Sequence, residues 1–234
     1  MSDPAPKRFW QTTSVVPEDG GFAIALDNRR VKTPAKAALV LPTRAMADAV
    51  AAEWQAQDNR VNPATMPVTR SANAAIDKVR HQHGEVADML AAYGDSDLLC
   101  YRADGPEALI ARQSREWDPA LDWAAHFFGT RLQVHSGVIH ASQGDKALNT
   151  LTKHVSDMSD FQLAAFHDLV GLSGSLILAF CVIYKWKTPD LIWDLSRLDE
   201  IWQQEQWGQD DEADAMADIK RRAFLHAGRF YEMA

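Results

Sequence analysis

The sequence predicts an α+β protein, with a small antiparallel β-rich N-terminal domain followed by a larger all-helical domain. Before Asn62-Pro63, short β-rich segments alternate with turn residues, whereas beyond it apolar residues recur at helical spacing. The 47% hydrophobic and 24% charged content is typical of a globular protein, and 234 residues can enclose a substantial core. We therefore expect a β-rich domain with one helix at 1–62 and a helical domain at 63–234.

The N-terminal domain is predicted to contain an antiparallel meander and then a helix. Its strands are expected at 8–16, 22–26, 31–33 and 38–41. The turn residues at 17–21 and at Asp27-Asn28 suit hairpin connections between these strands. Pro42-Thr43 then opens an alanine-rich helix at 45–57, for which Thr43 is a suitable N-cap.

The rest of the chain is predicted to be mostly helical. Helical periodicity is found at 71–81, 85–92, 106–117, 119–128, 146–156, 161–184, 190–206 and 211–231. Asp118-Pro119 suits an N-cap followed by proline at the first helical position, and Gly105-Pro106 opens its helix in a similar way. Residues 131–140 are expected to form a short extended segment.

The longest apolar run, at 169–184, is interpreted as a central helix of the fold. It is shorter than the ~20 residues that a membrane-spanning helix needs, and it contains Gly171 and Gly174. Gly171, Ser175 and Ala179 recur every four residues, which predicts a small-residue groove where another helix can approach closely. We expect no membrane insertion.

Composition and charge argue against a nucleic-acid partner and indicate the compartment. The chain has 24 basic and 32 acidic residues, so its net charge of -8 does not fit a nucleic-acid-binding protein. Cys100 and Cys181 are the only cysteines, which indicates a reducing compartment and two thiols that act as small hydrophobic residues. The N-terminal residues resemble neither a signal peptide nor a transit peptide, so we expect a cytoplasmic protein.

No catalytic motif, metal motif or cofactor motif stands out in the sequence. The nucleophile elbow, the phosphate-binding loop and the dinucleotide fingerprint are absent, and the eight histidines are scattered. We therefore expect a binding protein without catalytic residues, metal or cofactor. The alternative is a small-molecule hydrolase with a pocket between the two domains, which would need carboxylates such as Asp95, Asp97 or Glu116 to converge on that pocket.

The most informative segment is 198–208, LDEIWQQEQWG, within the helix predicted at 190–206. At ~100° per residue, one side of this helix carries Leu191, Leu195, Leu198, Ile201 and Trp202, and the other side carries Trp193, Arg197, Glu200, Gln204 and Trp207. A helix needs only one apolar stripe to dock on a core. The second stripe is therefore either buried by another part of the chain or exposed for a protein partner. Trp and Arg are enriched among the residues that dominate interface energetics, which supports the second alternative.

Several sequence blocks, taken in order, resemble those of one family. They are Leu26-Asp27, Val31-Lys32-Thr33-Pro34-Ala35, Leu41-Pro42-Thr43, Ala52-Glu53-Trp54 with Gln57, Met66-Pro67-Val68-Thr69, DLLCYR at 97–102, Glu116-Trp117-Asp118-Pro119, and 198–208. Together they resemble the assembly chaperones for the α subunit of the F1 sector of ATP synthase. The sequence departs from this family at Asn28-Arg29-Arg30, where a glycine is common, and at Gln55, where an acidic residue is common.

The resemblance implies a non-enzymatic function. Members of this family hold the unassembled F1 α subunit, prevent its aggregation and yield it to the β subunit. The family fold is a small β-rich unit followed by a helical domain, and Glu200 matches the functionally sensitive glutamate of the family. Trp54 is expected to be a structural anchor. With the second stripe of the helix described above, the predicted partner-binding residues are Glu200, Trp193, Arg197, Gln204 and Trp207, on a protein that we expect to be a monomer.

Two other classes of function stay open at this point. One is the hydrolase described above. The other is a structural subunit that remains permanently in the assembled complex, whereas a chaperone would be absent from the finished enzyme.

Overall fold

The computed structural model of the protein describes residues 7–234. Two compact units are present: unit 1 contains residues 7–83, Ser159–Ala165 and Arg229–Ala234, and unit 2 contains Gly84–Met158 and Phe166–Gly228. Unit 1 thus includes residues 63–83, which the sequence analysis grouped with the helices. Residues 1–6, part of the N-terminal segment used to infer a cytoplasmic protein, lie outside the described residues.

A small antiparallel sheet forms the first part of unit 1. Its strands are β1 (Thr13–Glu18), β2 (Gly21–Leu26), β3 (Arg29–Arg30) and β4 (Val40–Leu41). Strand β2 pairs with β1 along its whole length, and it also pairs with β3 and with β4. Both predicted hairpin turns are present, at Asp19-Gly20 and at Asp27-Asn28.

Gly21 makes the pairing of β2 with β4 possible. A Cβ atom at this position would lie 2.1 Å from the carbonyl oxygen of Leu41, far inside van der Waals contact. Only glycine therefore fits where these two backbones meet.

Two helices complete the main body of unit 1. Helix α1 (Arg44–Gln55) begins after Thr43, whose hydroxyl accepts a hydrogen bond from the Met46 N–H at 3.2 Å, as the sequence predicts. Helix α2 (Pro67–Asp77) begins four residues earlier than expected. Its first N–H groups are capped by Glu53 of α1, which accepts hydrogen bonds from Val68 N at 2.7 Å and Thr69 N at 2.8 Å. Sequence spacing alone could not reveal a cap supplied by another helix.

The core of unit 1 lies between α1, α2 and the sheet. Its fully buried side chains include Ile24, Leu41, Met46, Val50 and Ile76. The Trp54 ring contacts the buried Trp10 ring with centroids 5.4 Å apart, an arrangement that fits the anchor role expected for Trp54.

Unit 2 is built mainly from helices. They are α3 (His83–Ala91), α4 (Glu107–Phe128), α5 (Asp145–Ser156), α6 (Asp160–Ser173), α7 (Leu176–Ile183), α8 (Pro189–Ser196), α9 (Leu198–Trp207) and α10 (Asp211–Met233). The start of α3, the start of α6 and the end of α10 belong to unit 1. Strand β5 (Tyr101–Arg102) pairs in parallel with β6 (His135–Ser136). Strand β6 lies within residues 131–140, the segment expected to be extended.

Three predictions of where helices begin and end after residue 83 are wrong. The helices expected at 106–117 and 119–128 form one continuous helix, α4, with Pro119 inside it. The helix expected at 161–184 is interrupted at Gly174, which has a φ of +70°. The helix expected at 190–206 is interrupted at Arg197, where the backbone leaves the helical conformation between α8 and α9.

The two cysteines are free and buried in unit 2. Burial raises the pKa of both thiols, so Cys100 and Cys181 are poor nucleophiles, consistent with a packing role. Within residues 7–234, no helix is both long enough and apolar enough to cross a membrane. The same residues contain no group of three His, Cys, Asp or Glu side chains arranged to hold a metal ion.

Candidate functional site

The five side chains predicted to form one partner-binding face lie on two helices. Trp193 belongs to α8, Arg197 lies at the break, and Glu200, Gln204 and Trp207 belong to α9. The regular rotation of ~100° per residue holds only within one helix. The break at Arg197 therefore separates Trp193 from the rest of the predicted face.

Trp193 is part of the core of unit 2. Its side chain is only 4% exposed, and its ring lies 5.5 Å from the ring of Phe224 on α10. The Arg197 guanidinium lies 5.7 Å from the centroid of the same indole. Trp193 thus supports the junction of α8 and α9 from beneath and is not available for direct contact with a partner.

Glu200 is partly exposed and forms an ion pair. Its carboxylate lies 2.8 Å from the Arg197 guanidinium, and 46% of its side chain is exposed. Exposed ion pairs of this kind contribute only ~0.2–1 kcal/mol to stability, because water solvates the separated charges well. The Glu200 carboxylate can therefore exchange Arg197 for a group on a partner at low cost.

Glu200 lies at the edge of a groove of about 320 Å³, which we call the Glu200 groove. Its lining includes Trp117 of α4, Lys220 of α10 and the residues 171–174 before the break between α6 and α7. The groove therefore brings Glu200 next to the glycine-containing segment that the sequence placed inside a central helix.

Gln204 and Trp207 have different environments. The Gln204 side-chain amide donates a hydrogen bond to the Asp214 carboxylate at 2.7 Å, which ties α9 to the first turns of α10. Trp207, at the end of α9, is 80% exposed. Within the predicted face, Arg197 and Glu200 are therefore in contact with each other. Gln204 connects α9 to α10, and Trp207 is exposed to solvent.

Helix α4 fixes the position of the junction. The Trp117 indole donates a hydrogen bond to the Leu195 carbonyl at 2.8 Å, and so satisfies a carbonyl near the end of α8. The Gln113 side-chain amide donates to the Asp199 carboxylate at 2.8 Å, and its oxygen accepts from the Ala103 N–H at 2.9 Å. These contacts place α9 relative to α4 with defined geometry.

Gln113 is a site residue that was not predicted from the sequence. Its spacing in the sequence could have indicated burial. Gln113 lies three residues after Ile110 and four before Trp117, which places it on the apolar face of α4. A polar residue in such a position needs a buried hydrogen-bond partner. The partner itself, Asp199, is 86 residues away and could not be inferred.

Asp97 explains the break between α6 and α7. This carboxylate is fully buried and accepts hydrogen bonds from Leu99 N at 2.9 Å, the Ser175 hydroxyl at 2.8 Å and Ile177 N at 3.0 Å. Burial raises the pKa of Asp97 to about 6, against the opposing effect of these donors. The carboxylate thus caps the N-terminus of α7.

The three carboxylates named for the hydrolase alternative do not form a common site. Asp97 is buried as described, and Asp95 accepts hydrogen bonds from Gln143 N at 2.6 Å and from His140 at 2.9 Å. Glu116 is partly exposed and pairs with Arg115 at 2.9 Å. Asp95 and Glu116 line different pockets, so these side chains supply no acid and base for one substrate.

Comparison with known proteins gives one consistent result. Residues 7–125 match the model of a family described as ATP12 chaperone protein. The mitochondrial protein atp12 of Schizosaccharomyces pombe is 24% identical over 225 residues, which cover 91% of this chain and 77% of the yeast protein.

Solved structures extend the similarity over nearly the whole chain. Atp12 from Paracoccus denitrificans superposes with a TM-score of 0.95 at 45% identity and 97% coverage of both chains, and the same values hold for a mutant of that protein. The Atu1473 protein of Agrobacterium tumefaciens gives a TM-score of 0.90 at 42% identity, with 97% of this chain and 87% of that chain covered. The predicted class, a small antiparallel sheet followed by a larger helical region, is confirmed.

Proposed function

The chain belongs to the ATP12 chaperone family, and from this premise we propose that it assists ATP synthase assembly by binding the unassembled α subunit of F1-ATPase. In this proposal the protein prevents aggregation of the α subunit and releases it to the β subunit. The observation that carries the proposal beyond the family is the accessibility of α9, which presents the partly exposed Glu200 in its first turn and the exposed Trp207 at its end.

The physical problem of an unassembled subunit fits such a surface. An α subunit that awaits β exposes a large and partly apolar interface, which favours aggregation when it is left uncovered. An exposed indole such as Trp207 contributes strongly to protein interfaces, because it buries a large apolar area and retains one polar group. We infer that α9 covers part of the client interface with Trp207 and Glu200, while Trp193 and Gln204 hold α9 in place.

Glu200 is proposed to bind an arginine or a backbone amide of the client. Binding would withdraw its carboxylate from water and replace the exposed pair with Arg197. Removal of one partner from a desolvated charge pair costs ~2–5 kcal/mol, so a charge reversal at Glu200 should weaken binding by about 30-fold or more.

The first test is coexpression of the tagged protein with F1 α and β subunits, for the wild type, Glu200→Lys and Glu212→Lys. Glu212 is exposed on the first turn of α10 and provides the same change of charge away from the Glu200 groove. We expect the wild type and Glu212→Lys to retain α and to lose it when β is added. Glu200→Lys should retain little α, with an unchanged melting temperature.

Two outcomes would contradict the proposal. If the folded wild-type protein retains no α subunit, the proposed function is wrong. If Glu200→Lys lowers the melting temperature sharply while its affinity for α stays the same, the role assigned to Glu200 is wrong.

The same experiment distinguishes a chaperone from a permanent subunit. A chaperone should be absent from assembled F1, whereas a structural subunit would be purified with it. Release requires no nucleotide site on this chain, because the larger α–β interface can compete for the same client surface. A requirement for ATP hydrolysis by this protein alone would contradict that mechanism.

A further inference from the structure

The aliphatic stripe expected to dock the helix at 190–206 on the core is only partly covered. Leu198 is buried, but Leu195 and Ile201 are half-buried and Leu191 is 51% exposed. These four side chains line a second groove of about 320 Å³ together with Pro119 of α4. We call it the Leu191 groove.

The Leu191 groove is concave, with an aliphatic lining and a charged rim. Its volume is at the lower end of the range of ligand-binding pockets. Exposed aliphatic side chains are common on protein surfaces, but several that line one concavity indicate a contact surface. The groove lies within unit 2 and is formed by α4, α8 and α9.

The charges around this groove nearly balance, although the chain as a whole is acidic. The rim carries Arg115 and Lys187 against Glu116 and Asp194, and its third basic residue, Arg112, pairs with Glu205 outside the groove, whereas the whole chain has a net charge of -8. The side chains of the Arg115–Glu116 pair are 67% and 41% exposed, so this pair is easily exchanged for a partner carboxylate. The charges therefore favour an apolar segment that also carries acidic residues.

The two grooves share one ridge, the junction of α8 and α9. Leu195 and Leu198 face the Leu191 groove, while Ser196, Arg197 and Glu200 face the Glu200 groove. A protein that contacts Glu200 therefore lies beside the Leu191 groove, and one partner can reach both sides of the ridge.

We propose that the Leu191 groove binds an amphipathic segment of the client α subunit, with apolar side chains against Leu191, Leu195 and Ile201. Acidic side chains of the same segment pair with Arg115 and Lys187 on the rim. The inference rests on the proposed function, and it follows the common mode in which an amphipathic segment lies in an apolar groove. The client would then be held by a charge contact at Glu200 and by an apolar contact on the other side of the ridge.

Leu191→Asp tests the apolar contact, and Ile219→Asp is its matched control. Both residues are aliphatic and on helices, and they are 51% and 53% exposed, so both substitutions add the same charge at similar cost to the fold. Measured with purified F1 α subunit, the dissociation constant of Leu191→Asp should rise at least tenfold. That of Ile219→Asp should change less than threefold, because Ile219 lines neither groove.

Thiol labelling provides a second test that does not depend on a destabilising variant. Cys100 and Cys181 are buried and their pKa values are raised, so a thiol introduced by Leu191→Cys or Ile219→Cys is the one that a maleimide modifies quickly. In the complex with α, the labelling rate of the Leu191→Cys thiol should fall at least tenfold. The Ile219→Cys thiol should react as quickly as in the free protein.

Failure of this inference can be distinguished from failure of the proposed function. If α binds and Glu200→Lys abolishes binding, but the Leu191→Cys thiol is not protected, the groove does not bind the client. An affinity of Leu191→Asp equal to that of Ile219→Asp would lead to the same conclusion. If the wild type binds no α subunit at all, the proposed function itself is wrong.

Discussion

At the scale of single residues, carboxylates connect distant parts of the sequence. Glu53 caps α2 through Val68 and Thr69, and Asp77 accepts hydrogen bonds from Thr33 and Ala35. Both carboxylates thus bind residues of the sequence blocks that carry the family resemblance. Much of the resemblance therefore reflects residues that hold the fold, whereas Glu200 and Trp207 remain accessible to a partner.

Asp97 leads to a prediction about pH. Its pKa is about 6 in the folded protein and about 4 in an unfolded chain, so the folded state binds the proton more tightly. Between pH 4 and pH 6, the folded state therefore gains stability from Asp97 as the pH falls, and it loses that gain as the pH rises. A pKa shift of this size corresponds to a difference of about 3 kcal/mol in the free energy of unfolding between the protonated and the ionised protein.

The measurement compares the wild type with Asp97→Asn in urea unfolding from pH 4 to pH 7. We expect the free energy of unfolding of the wild type, relative to the variant, to increase as the pH is lowered. Asp95→Asn is a control that should show an almost constant difference from the wild type over this range, because hydrogen bonds from Gln143 and His140 lower the pKa of Asp95, and a carboxyl with a lowered pKa stays ionised above pH 4. A constant difference between wild type and Asp97→Asn over this range would contradict the prediction.

At the scale of elements, the sequence predicts those helices and turns whose signals are local. Helices α1, α3, α5 and α10 lie within two residues of the expected bounds at both ends. The breaks at Gly174 and Arg197 were not predicted, because their partners are distant. Asp97 lies 78 residues before Ser175, and Trp117 lies 78 residues before Leu195.

Because the break at Arg197 was not predicted, the position of Trp193 and the exposure of the stripe that begins at Leu191 were predicted wrongly. Extrapolation of one helix across residues 190–206 placed Trp193 on the same face as Glu200. In the structure, Trp193 packs on Phe224 instead, and the stripe that begins at Leu191 is partly exposed. The segment was identified from the sequence, but which of its sides is exposed depends on α4 and α10.

Gly174 and Gly171 are expected to respond in opposite ways to substitution by alanine. Gly174 has a φ of +70°, a conformation that costs an L-residue ~1–2 kcal/mol, so Gly174→Ala should destabilise the protein by about that amount. Gly171 lies within α6, and a Cβ there would meet no neighbouring atom within 4 Å. Gly171→Ala should therefore stabilise the protein by ~0.5–1 kcal/mol.

Urea unfolding of both variants checks these signs. Each glycine serves as the control for the other, since both lie within four residues of one another in the same apolar segment. If both substitutions destabilise the protein, the positive φ at Gly174 does not determine how the two positions respond to alanine.

At the scale of the whole molecule, the chain passes between its two units four times, near residues 83, 158, 165 and 228. Unit 1 is therefore completed only when the last residues of α10 have been added. Phe230 is fully buried, and the Thr43 hydroxyl donates a hydrogen bond to the Met233 carbonyl. The C-terminus thus belongs to the same unit as the N-terminal sheet.

Deletion of residues 229–234 should therefore destabilise unit 1, although these residues lie far in sequence after its first segment, which ends at His83. Loss of a buried phenylalanine alone costs ~3–5 kcal/mol, because the cavity collapses only in part. Amide hydrogen exchange should show faster exchange first in β1, β2 and α1, while α4 and α7 keep their protection. Deletion of Ala234 alone is the control, since it leaves Phe230 in place and should not change the exchange. If exchange instead increased first in α4 and α7, the C-terminal residues would support unit 2 rather than unit 1.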